Sequence, residues 1–362
     1  MTQRPEVLTD SSSFFGGLRE SPAGLTESPA DLFRPNLTPT VTRMDPLSDV
    51  LRAVRLNGAY FYHVHAGAPW SVSTTPAREL VPRILPEAEH LISYHILLSG
   101  TAWGGLEGED QVQMQPGDVI VFPHGEAHLM SSAEAYRDGS GRKGTSAERY
   151  PNTVLLGPED SPRTTSFVCG FLGCDSRPFN PLLASLPRRM LIPGAAEGWL
   201  SQFPKQVVTE SRNGRVGSET MLTRMAELMF IEVVRRYVEE IPSQHSGWLA
   251  GLRDAVVGPA LTCLHERPTH PWTLQELARE IASSRTVLVE RFSNLVGVPP
   301  MLYLTRWRLQ LAAEQLSRGT AKVAAVGAQV GYESEAAFSR AFKRETGLSP
   351  AAWRRNRQQL QA

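Results

Sequence analysis

Apolar residues recur at helical spacing in the C-terminal third of the chain. Between residues 274 and 281 they stand three and four apart after Thr273, which predicts a short helix capped by that threonine. Ser284 begins a second helix, in which Leu288 and Phe292 lie four residues apart and so share one buried face. Only a few residues separate the two helices. The pattern therefore predicts a helix, a tight turn and a second helix.

The same pattern occurs twice, at a constant offset of 50 residues. Each copy ends in Gly-x-x-Pro, where the glycine leaves the helix with positive φ and the proline opens the next helix. Two helices across a tight turn form a helix-turn-helix unit, whose second helix enters the DNA major groove. The matched pairs are Ala278 and Ala328, Ser284 and Ser334, Leu288 and Phe338, Phe292 and Phe342, Gly297 and Gly347, Pro300 and Pro350, and Tyr303 and Trp353.

The two halves of the chain carry opposite charge, although the whole chain has a net charge of zero. Residues 243–362 hold 15 Lys and Arg against 9 Asp and Glu, net +6, whereas residues 1–242 hold 22 against 28, net −6. A basic C-terminal module favours a polyanionic partner, because Lys and Arg that neutralise phosphates release condensed counterions. The alternative is a helical repeat that merely packs aromatic residues. The predicted core of this region comprises Leu288, Phe292, Trp307, Leu309, Phe338, Phe342 and Trp353.

The N-terminal half has the pattern of β-strands. Residues 59–64 and 90–98 are rich in residues that favour strands, and residues 111–114 alternate with period two. Residues 117–128 contain the spacing G-x5-P-x-G-x2-H. We therefore expect several short antiparallel strands joined by glycine turns.

Two segments are predicted to lack regular structure. Residues 1–45 are rich in Ser, Pro and Thr without a sustained period and are predicted to be disordered. Residues 132–165 are rich in Gly, Ser and charge and are predicted to form a loop. The loop contains GSGRKGT at residues 139–145, but its lysine precedes the second glycine and no strand leads into it, so nucleotide binding is rejected.

A helix of about 20 residues is predicted after Gly217, capped by Ser218. It is expected to pack beneath the strands, and self-association through its apolar stripe is a hypothesis. Residues 242–247 then read as a hinge, and a further helix over about residues 259–265 begins the C-terminal domain. The stripe comprises Met221, Leu222, Met225, Leu228, Met229 and Val233.

Composition narrows the protein class. A chain of 362 residues with 41% hydrophobic residues suits two folded domains. No apolar run approaches 18 residues and no hydrophobic segment follows the N-terminus, which predicts a cytoplasmic protein without a membrane partner. Cys169, Cys174 and Cys263 are odd in number and lack disulfide or zinc-knuckle spacing, which suits a reducing compartment.

The stretch from Trp272 to Arg355 resembles the DNA-binding domain of AraC/XylS-type transcription regulators. The resemblance rests on TLQELAREIASSRTVLVERF in the first copy and VGYESEAAFSRAFKRETGLSP in the second. In that family two helix-turn-helix units, joined by one long helix, read two successive major grooves on the same face of the duplex. The resemblance implies the same arrangement here, with a joining helix over residues 300–317. Its length of about 27 Å suits the separation of two adjacent major grooves, one DNA turn of about 34 Å.

The resemblance also assigns residues to DNA contacts. Arg340 is the best candidate for direct readout, since a guanidinium can bond guanine O6 and N7 together. Glu290 departs from the arginine often found at its position, so it either accepts from a cytosine amino group or leaves the first helix a minor contributor. Arg306 and Arg308 are assigned to phosphate or solvent. The groove-facing positions are Arg285, Thr286, Val289 and Glu290 in the first unit and Glu335, Ala336, Ala337, Ser339 and Arg340 in the second; phosphate contacts are assigned to Arg291, Lys322, Lys343 and Arg344.

Residues 117–128 resemble the second conserved motif of cupin β-barrels, and residues 49–238 resemble the ligand-binding domain of one branch of AraC-type regulators. In metal-binding cupins the closing histidine, here His128, is a ligand. Ser93 stands where the first motif has its glutamate, and no H-x-H stands shortly before that position, so we expect no metal and no other cofactor. A rebuilt site from His63, His65, His95 and His128 remains open. The candidate ligand-binding residues are Trp70, His95, Trp103, Phe122 and His128.

The sequence thus predicts a multidomain α and β protein, with an N-terminal cupin-like β-barrel and an all-α domain with two helix-turn-helix units. The predicted domains are a sensor with a packing or dimerisation helix (46–242), a linker (243–247) and a DNA-binding domain (248–362). We expect a sequence-specific transcription factor that answers to a small-molecule effector and is not an enzyme. The alternative is a metal-dependent cupin enzyme with an accessory DNA-binding domain. The expected partners are double-stranded DNA, the effector and a second copy in a homodimer, with contact to RNA polymerase left open.

Overall fold

The structure, a computed structural model, describes residues 45–54, 56–134, 153–194, 199–213, 215–242 and 245–361. The predicted disordered segment lies outside these ranges except for Asp45. The GSGRKGT segment and residues 243 and 244 of the predicted linker lie outside them as well.

The strands of the described residues form two facing sheets. The larger sheet has the order β10-β6-β3-β9-β1-β8 and the smaller one β2-β7-β4-β5. All neighbouring strands are antiparallel except β1 and β8, which are parallel. The strands are β1 (Asn57–Ala66), β2 (Ser71–Thr74), β3 (His90–Ser99), β4 (Ala102–Leu106), β5 (Val112–Met114), β6 (Val119–Phe122), β7 (His128–Ser131), β8 (Thr153–Leu156), β9 (Thr165–Cys174) and β10 (Met190–Ile192).

The space between the sheets is an apolar core. Leu97 and Phe167 enter it from the larger sheet, and Leu106 and Met130 enter it from the smaller one. Successive residues of a strand point to opposite faces, so Tyr94 and Leu172 lie on the other face of the larger sheet. This arrangement confirms the expected cupin-like architecture.

Helices cover that second face. The five helices of this region among the described residues are α1 (Pro46–Ala53), α2 (Ala77–Ile84), α3 (Pro181–Ser185), α4 (Phe203–Asn213) and α5 (Ser218–Glu240), with a short 3-10 turn at Trp199–Ser201. Of these, α2 packs on the opposite face, against Leu91 of β3 and Phe171 of β9. α5 lies against β1 and β10 and pairs with α4. No described helix combines the length and the hydropathy that crossing a bilayer demands.

The capping of α5 differs from the prediction. Gly217, with φ 85°, is the N-cap residue, and Ser218 is the first residue of the helix. The Ser218 hydroxyl instead donates to the Glu210 carboxylate at 2.6 Å. A serine beside a glycine suggested a side-chain cap, but Gly217 occupies the N-cap position and Ser218 lies one residue inside the helix.

The apolar stripe of α5 divides between two faces. Met229 and Val233 are fully buried against the sheet, as expected. Met221 and Leu228 are 54% and 55% exposed and lie seven residues apart, so they share a different side of the helix. The stripe was therefore too broad to be covered by the barrel alone.

Part of the predicted loop over residues 132–165 is a strand. Thr153–Leu156 forms β8, which pairs in parallel with residues 63–66 of β1. Four residues are too few to display a period, and the pairing joins positions about ninety residues apart. Local sequence carries no signal for such an edge strand.

The C-terminal helices match the duplicated pattern. Thr273, Ser284 and Ser334 each cap a helix, accepting from the backbone N–H three residues later. Gly297 and Gly347 end the second helix of each unit with φ of 82° and 77°. The helices are α6 (Trp248–Arg253), α7 (Val257–Glu266), α8 (Leu274–Glu280), α9 (Arg285–Val296), α10 (Pro300–Arg318), α11 (Val323–Gln329), α12 (Glu335–Thr346) and α13 (Pro350–Gln361).

α10 carries a separate core on each half. Its first half packs Tyr303 and Trp307 with the first unit, and its second half packs Leu316 with the second unit. The first core is continuous with the core on the helical face of the larger sheet. All seven predicted core residues of the two units are buried, which confirms them: Leu288, Phe292, Trp307, Leu309, Phe338, Phe342 and Trp353.

We predict that Phe342→Ala destabilises the second helix-turn-helix unit by about 3 to 5 kcal/mol, the usual cost of removing a buried aromatic ring. Phe342 is fully buried and contacts Phe338 and Trp353 edge-on, at 5.6 and 5.7 Å between ring centroids. Urea denaturation followed by circular dichroism measures the change. Val287→Ala, at a residue that is 41% exposed, serves as the control. Equal free energies of unfolding for the two variants would contradict this packing.

Candidate nucleic-acid interface and sensor interior

The second helix of the first unit, α9, exposes a polar face. Leu288 and Phe292 are buried against the unit's own core, and the exposed residues lie around the rest of the helix. Arg285, Thr286 and Glu290 are exposed, and Val289 is half-buried. The structure therefore leaves all four predicted groove-facing positions at the surface.

The corresponding helix of the second unit, α12, is more basic. It buries Phe338 and Phe342 and exposes Arg340, Lys343 and Arg344. Residues four apart on a helix are neighbours, so Arg340 and Arg344 form one cationic strip. Of the other predicted positions, Glu335, Ala336 and Lys322 are exposed, and Ala337 and Ser339 are half-buried.

Arg291 has a partner within the chain. Its guanidinium donates to Asp254, whose other carboxylate oxygen accepts from the backbone N–H groups of Val256 and Val257 at 2.8 and 2.9 Å. Burial tends to raise the pKa of Asp254, but these hydrogen bonds and Arg291 outweigh it and hold the pKa below its usual value. Arg291 thus ties α9 to the start of α7. Its predicted phosphate contact would compete with this ion pair.

Arg306 and Arg308 are half-buried and have partners within the chain, so their contact with phosphate or solvent stays a prediction. Arg306 pairs with Glu345 at 3.0 Å, which joins α10 to α12. Arg308 donates to the carbonyl oxygens of Pro268 and His270 at 2.5 and 2.7 Å. A linear sequence shows the charge of these residues but not the carbonyls and the carboxylate that fold back onto them.

Inside the barrel, three polar side chains form a row across neighbouring strands. Tyr62 of β1 and His95 of β3 are both register partners of Cys169 of β9. His128 reaches the row from β7 of the facing sheet, with its Nε2 at 2.8 Å from His95 Nε2. His95, His128 and Cys169 are 3%, 0% and 2% exposed, so these three side chains are sealed from solvent, whereas Tyr62 is half-buried.

These groups satisfy one another as neutral donors and acceptors. The Glu126 carbonyl lies 2.9 Å from His128 Nδ1, so this nitrogen carries the proton and Nε2 accepts. His95 Nε2–H then donates to His128, and His95 Nδ1 accepts from the Cys169 thiol at 2.7 Å. Burial lowers the pKa of His128 to about 4, lowers that of His95 well below its usual value and raises that of the Cys169 thiol.

Aromatic rings fill the space around this row. Phe122 stacks on His128 at 3.9 Å between ring centroids, and Trp70 stacks on Phe167 at 5.3 Å. The structure thus brings four of the five predicted ligand-binding residues to the interior. Sequence reasoning missed Tyr62, Phe167 and Cys169. Period-two alternation along residues 165–174 could have placed the last two on one face.

Trp103 does not belong to this group. Ala102 and Leu106 take the interior side of β4, so the intervening Trp103 lies on the outer face of the smaller sheet and is half-buried. The expectation that it faces the interior is therefore wrong. Trp103 was placed on the wrong face of β4, because the Gly104–Gly105 pair hides which face of the strand is apolar.

The four histidines do not assemble into one site. His63 and His65 share the face of β1 that carries Phe61, whereas His95 and His128 face the barrel interior. The two interior nitrogens form a hydrogen-bonded pair at 2.8 Å, His95 Nε2 to His128 Nε2. Within the described ranges, no three His, Cys, Asp or Glu side chains are grouped to hold a metal ion.

Comparisons with known proteins agree with both halves of this arrangement. Residues 45–239 match a family model described as Cupin, and residues 277–356 match one described as Helix-turn-helix domain. A protein of Streptomyces antibioticus, named putative AraC-like transcription regulator, is 32% identical over 317 residues, which is 86% of this chain and 99% of that protein. HTH-type transcriptional regulator AlkR of Acinetobacter baylyi is 27% identical over 317 residues, with the same two shares of 86% and 99%.

Among solved structures, ToxT from Vibrio cholerae O395 covers 82% of this chain and 96% of its own length, at 13% identity and a TM-score of 0.31. A likeness this loose supports no residue-level argument.

We predict that Arg340→Ala lowers affinity for the cognate DNA by about 1 to 3 kcal/mol and relaxes base preference at one position. Its exposed guanidinium lies on the cationic side of α12. Competition binding on single-base variants of the cognate site measures both effects. Arg235→Ala, at an arginine of α5 whose side chain is 63% exposed, controls for the loss of one positive charge. An equal loss on random DNA would show that Arg340 contacts only the backbone of the duplex.

We also predict acid lability that originates in the barrel. The folded protein holds His128 neutral down to about pH 4, whereas the unfolded chain takes up the proton near pH 6.5. The contribution of His128 to the free energy of unfolding is therefore fully present above pH 6.5, and it falls by about 3 kcal/mol as the pH drops to 4. The free energy of unfolding is measured by urea denaturation at several pH values across this window. It should fall less steeply with decreasing pH for His128→Gln than for the parent. His245→Gln, at an exposed histidine, is the control. If the free energy of unfolding depends on pH in the same way for the parent and for His128→Gln, the assignment of the acid lability to His128 is refuted.

Proposed function

The chain belongs to the AraC-type transcription regulators with a cupin sensor domain, and we propose that it reads a two-part operator with α9 and α12. The family accounts for regulated DNA binding and for a cupin ligand-binding domain. The proposal adds which residues read the DNA, where the effector binds and how the copies associate.

The observation that carries the proposal is the duplicated, exposed second helix. α9 and α12 have the same length of 12 residues, the same serine cap and the same glycine exit, and both are fastened to one continuous helix, α10. Two reading helices on one helical rod suit two successive major grooves of a single duplex. The exposed Arg340, Lys343 and Arg344 give α12 a basic face that suits the phosphates of such a duplex.

The two reading helices are proposed to contribute unequally. On α12, Arg340 would read guanine while Lys343, Arg344 and the nearby Lys322 contact phosphates. On α9, Arg285, Thr286 and Val289 would face the groove, and Glu290 would accept from cytosine. Because Arg291 is paired with Asp254, the first unit offers fewer free cations. We therefore assign most of the electrostatic affinity to the second unit.

The effector is proposed to bind in the barrel interior, beside Trp70, His95, Phe122 and His128. This interior is apolar with a few convergent polar groups, which is the usual composition of a small-molecule site. The rings now contact one another, so an effector would have to displace them or enter from the smaller sheet. The effector can shift the equilibrium between two orientations of the DNA-reading units only by as much as its affinities for the two orientations differ. A metal-dependent enzyme is not favoured, since the interior nitrogens bond to each other.

Three finer assignments complete the proposal. The exposed Met221 and Leu228 of α5 offer an apolar strip through which two copies would form a homodimer. The chain would act in the cytoplasm, where DNA is accessible, and it would have no catalytic activity. Contact with RNA polymerase depends on the promoter and stays open.

We predict that the purified full-length chain selects, from a random pool of duplex DNA, a site with two half-sites about 10 base pairs apart. Its affinity for this site should exceed that for a shuffled duplex by about 1,000-fold or more at physiological salt. Fluorescence anisotropy on both duplexes measures the ratio. Equal affinities, or enrichment of a single short half-site, would contradict readout by two units.

A further inference from the structure

The sensor and the DNA-binding helices are joined by more than the chain that connects them. The apolar core on the helical face of the larger sheet continues through Leu249 and Leu261 to Trp307 of α10. Gln310 of α10, 2% exposed, donates to the carbonyl of Ala53 at 3.1 Å and accepts from the N–H of Phe179 at 3.0 Å. The first unit is therefore joined to the sensor by a continuous apolar core and by the buried hydrogen bonds of Gln310.

The second unit has a different connection, through a buried ion cluster of Arg357, Glu89 and Asp175. Arg357 lies on α13, and its Nη2 is 2.7 Å from Glu89 Oε1 while its Nη1 is 3.5 Å from Asp175 Oδ1. The three side chains are only 6–7% exposed. Both carboxylates belong to the sensor, and the guanidinium belongs to the last helix of the DNA-binding region.

On the sensor side, the ion cluster sits at the end of two strands that line the barrel. Glu89 directly precedes β3, and Asp175 directly follows β9, where His90 and Cys174 are register partners. The backbone N–H groups of Ser176 and Arg177 donate to the other Glu89 oxygen at 3.0 and 2.9 Å. The same two strands carry His95 and Cys169 inside the barrel. Any displacement of β3 against β9 would therefore move the two carboxylates.

On the DNA side, the cluster is connected to the core of the second unit. The Arg357 guanidinium lies over the Trp353 ring at 5.2 Å, and Trp353 contacts Phe342 of α12 edge-on. Arg357 is thus held between the sensor carboxylates and the helix that supports α12. In this arrangement Glu335, Ala336 and Arg340 remain exposed, so the contact leaves the reading face open.

A buried ion pair is a poor source of stability, because desolvation of the charges offsets their attraction. Such a pair can instead fix geometry. Glu89 is already held within the sensor, with Arg177 Nη2 3.2 Å from its Oε1, and Arg357 brings the second unit to the same oxygen. We propose that Arg357 is a positioning residue: by pairing with Glu89 and Asp175 it fixes the orientation of the second DNA-reading unit on the sensor. This inference rests on the proposed function, because it assumes that the two units bind one operator together.

Fixing the orientation raises affinity for a two-part operator. Binding by the second unit follows binding by the first as an intramolecular step, whose effective concentration depends on how well the unit is oriented beforehand. Loss of the ion cluster would leave the unit free to sample other orientations. The first unit keeps its own contacts with the sensor, so its separate binding would not change.

The test compares Arg357→Met and Glu89→Gln with the parent on two duplexes, the selected operator and a copy in which the second-unit half-site is scrambled. Arg357→Met should bind the full operator about tenfold more weakly and the scrambled copy within twofold of the parent. Arg355→Met and Glu87→Gln, at exposed residues of the same helix and the same loop, are the matched controls and should resemble the parent on both. A role limited to folding would weaken binding to both duplexes equally.

A double-variant cycle completes the test. The losses caused by Glu89→Gln and Arg357→Met should not add in the double variant, because both remove one contact. If Arg357→Met does not fold, Arg357→Lys keeps the charge and loses one contact, and it should show a threefold loss on the full operator alone. Additive losses, equal losses on the two duplexes, or full binding by the variants would each overturn the proposal. A parent protein that does not distinguish the operator from shuffled DNA would refute the proposed function instead.

Discussion

One helix, α10, carries the physical constraint on which the rest depends. The aromatic side chains of each helix-turn-helix unit are buried against a different half of it, so neither unit can slide along α10 without opening its core. Interiors of this kind are close-packed and do not deform gradually. The distance between the two reading helices is therefore set by the length of a single α-helix. DNA with a regular groove repeat is the partner that such a fixed spacing matches.

The sensor is connected to this rod in two chemically different ways. The first unit shares an apolar core with the sheet, and that contact would change only if the core were opened. The second unit meets the sensor through Arg357 and two carboxylates, where a small shift changes charge contacts without opening a core. This asymmetry would allow the protein to change the orientation of α12 while α9 keeps its position. β3 begins directly after Glu89, and β9 ends directly before Asp175. These two strands therefore connect the barrel interior to the ion cluster.

Much of this could be predicted from the sequence, for reasons that are local. The serine caps at 284 and 334, the exit glycines and the apolar spacing all act within one turn of helix, so the duplicated units were predicted with their buried residues. The barrel interior was harder. Trp70, His95, Phe122 and His128 were predicted to face inward, yet Cys169 and Tyr62 became recognisable only through the register of β1, β3 and β9.

What the sequence did not reveal are long-range partners. Arg357 resembled the other arginines of the basic C-terminus, and only the fold places it beside carboxylates from positions 89 and 175. The strand β8 and the ion pair between Arg291 and Asp254 escaped prediction for the same reason. Each depends on a contact between residues far apart in the chain, for which periodicity and capping give no signal.

The central claim is that both units bind one face of a single duplex at the same time. Hydroxyl-radical footprinting of the purified full-length chain on its selected operator tests this directly. The account predicts two protected segments, about one helical turn apart and on the same face of the DNA. One protected segment, or two segments on opposite faces, would contradict it.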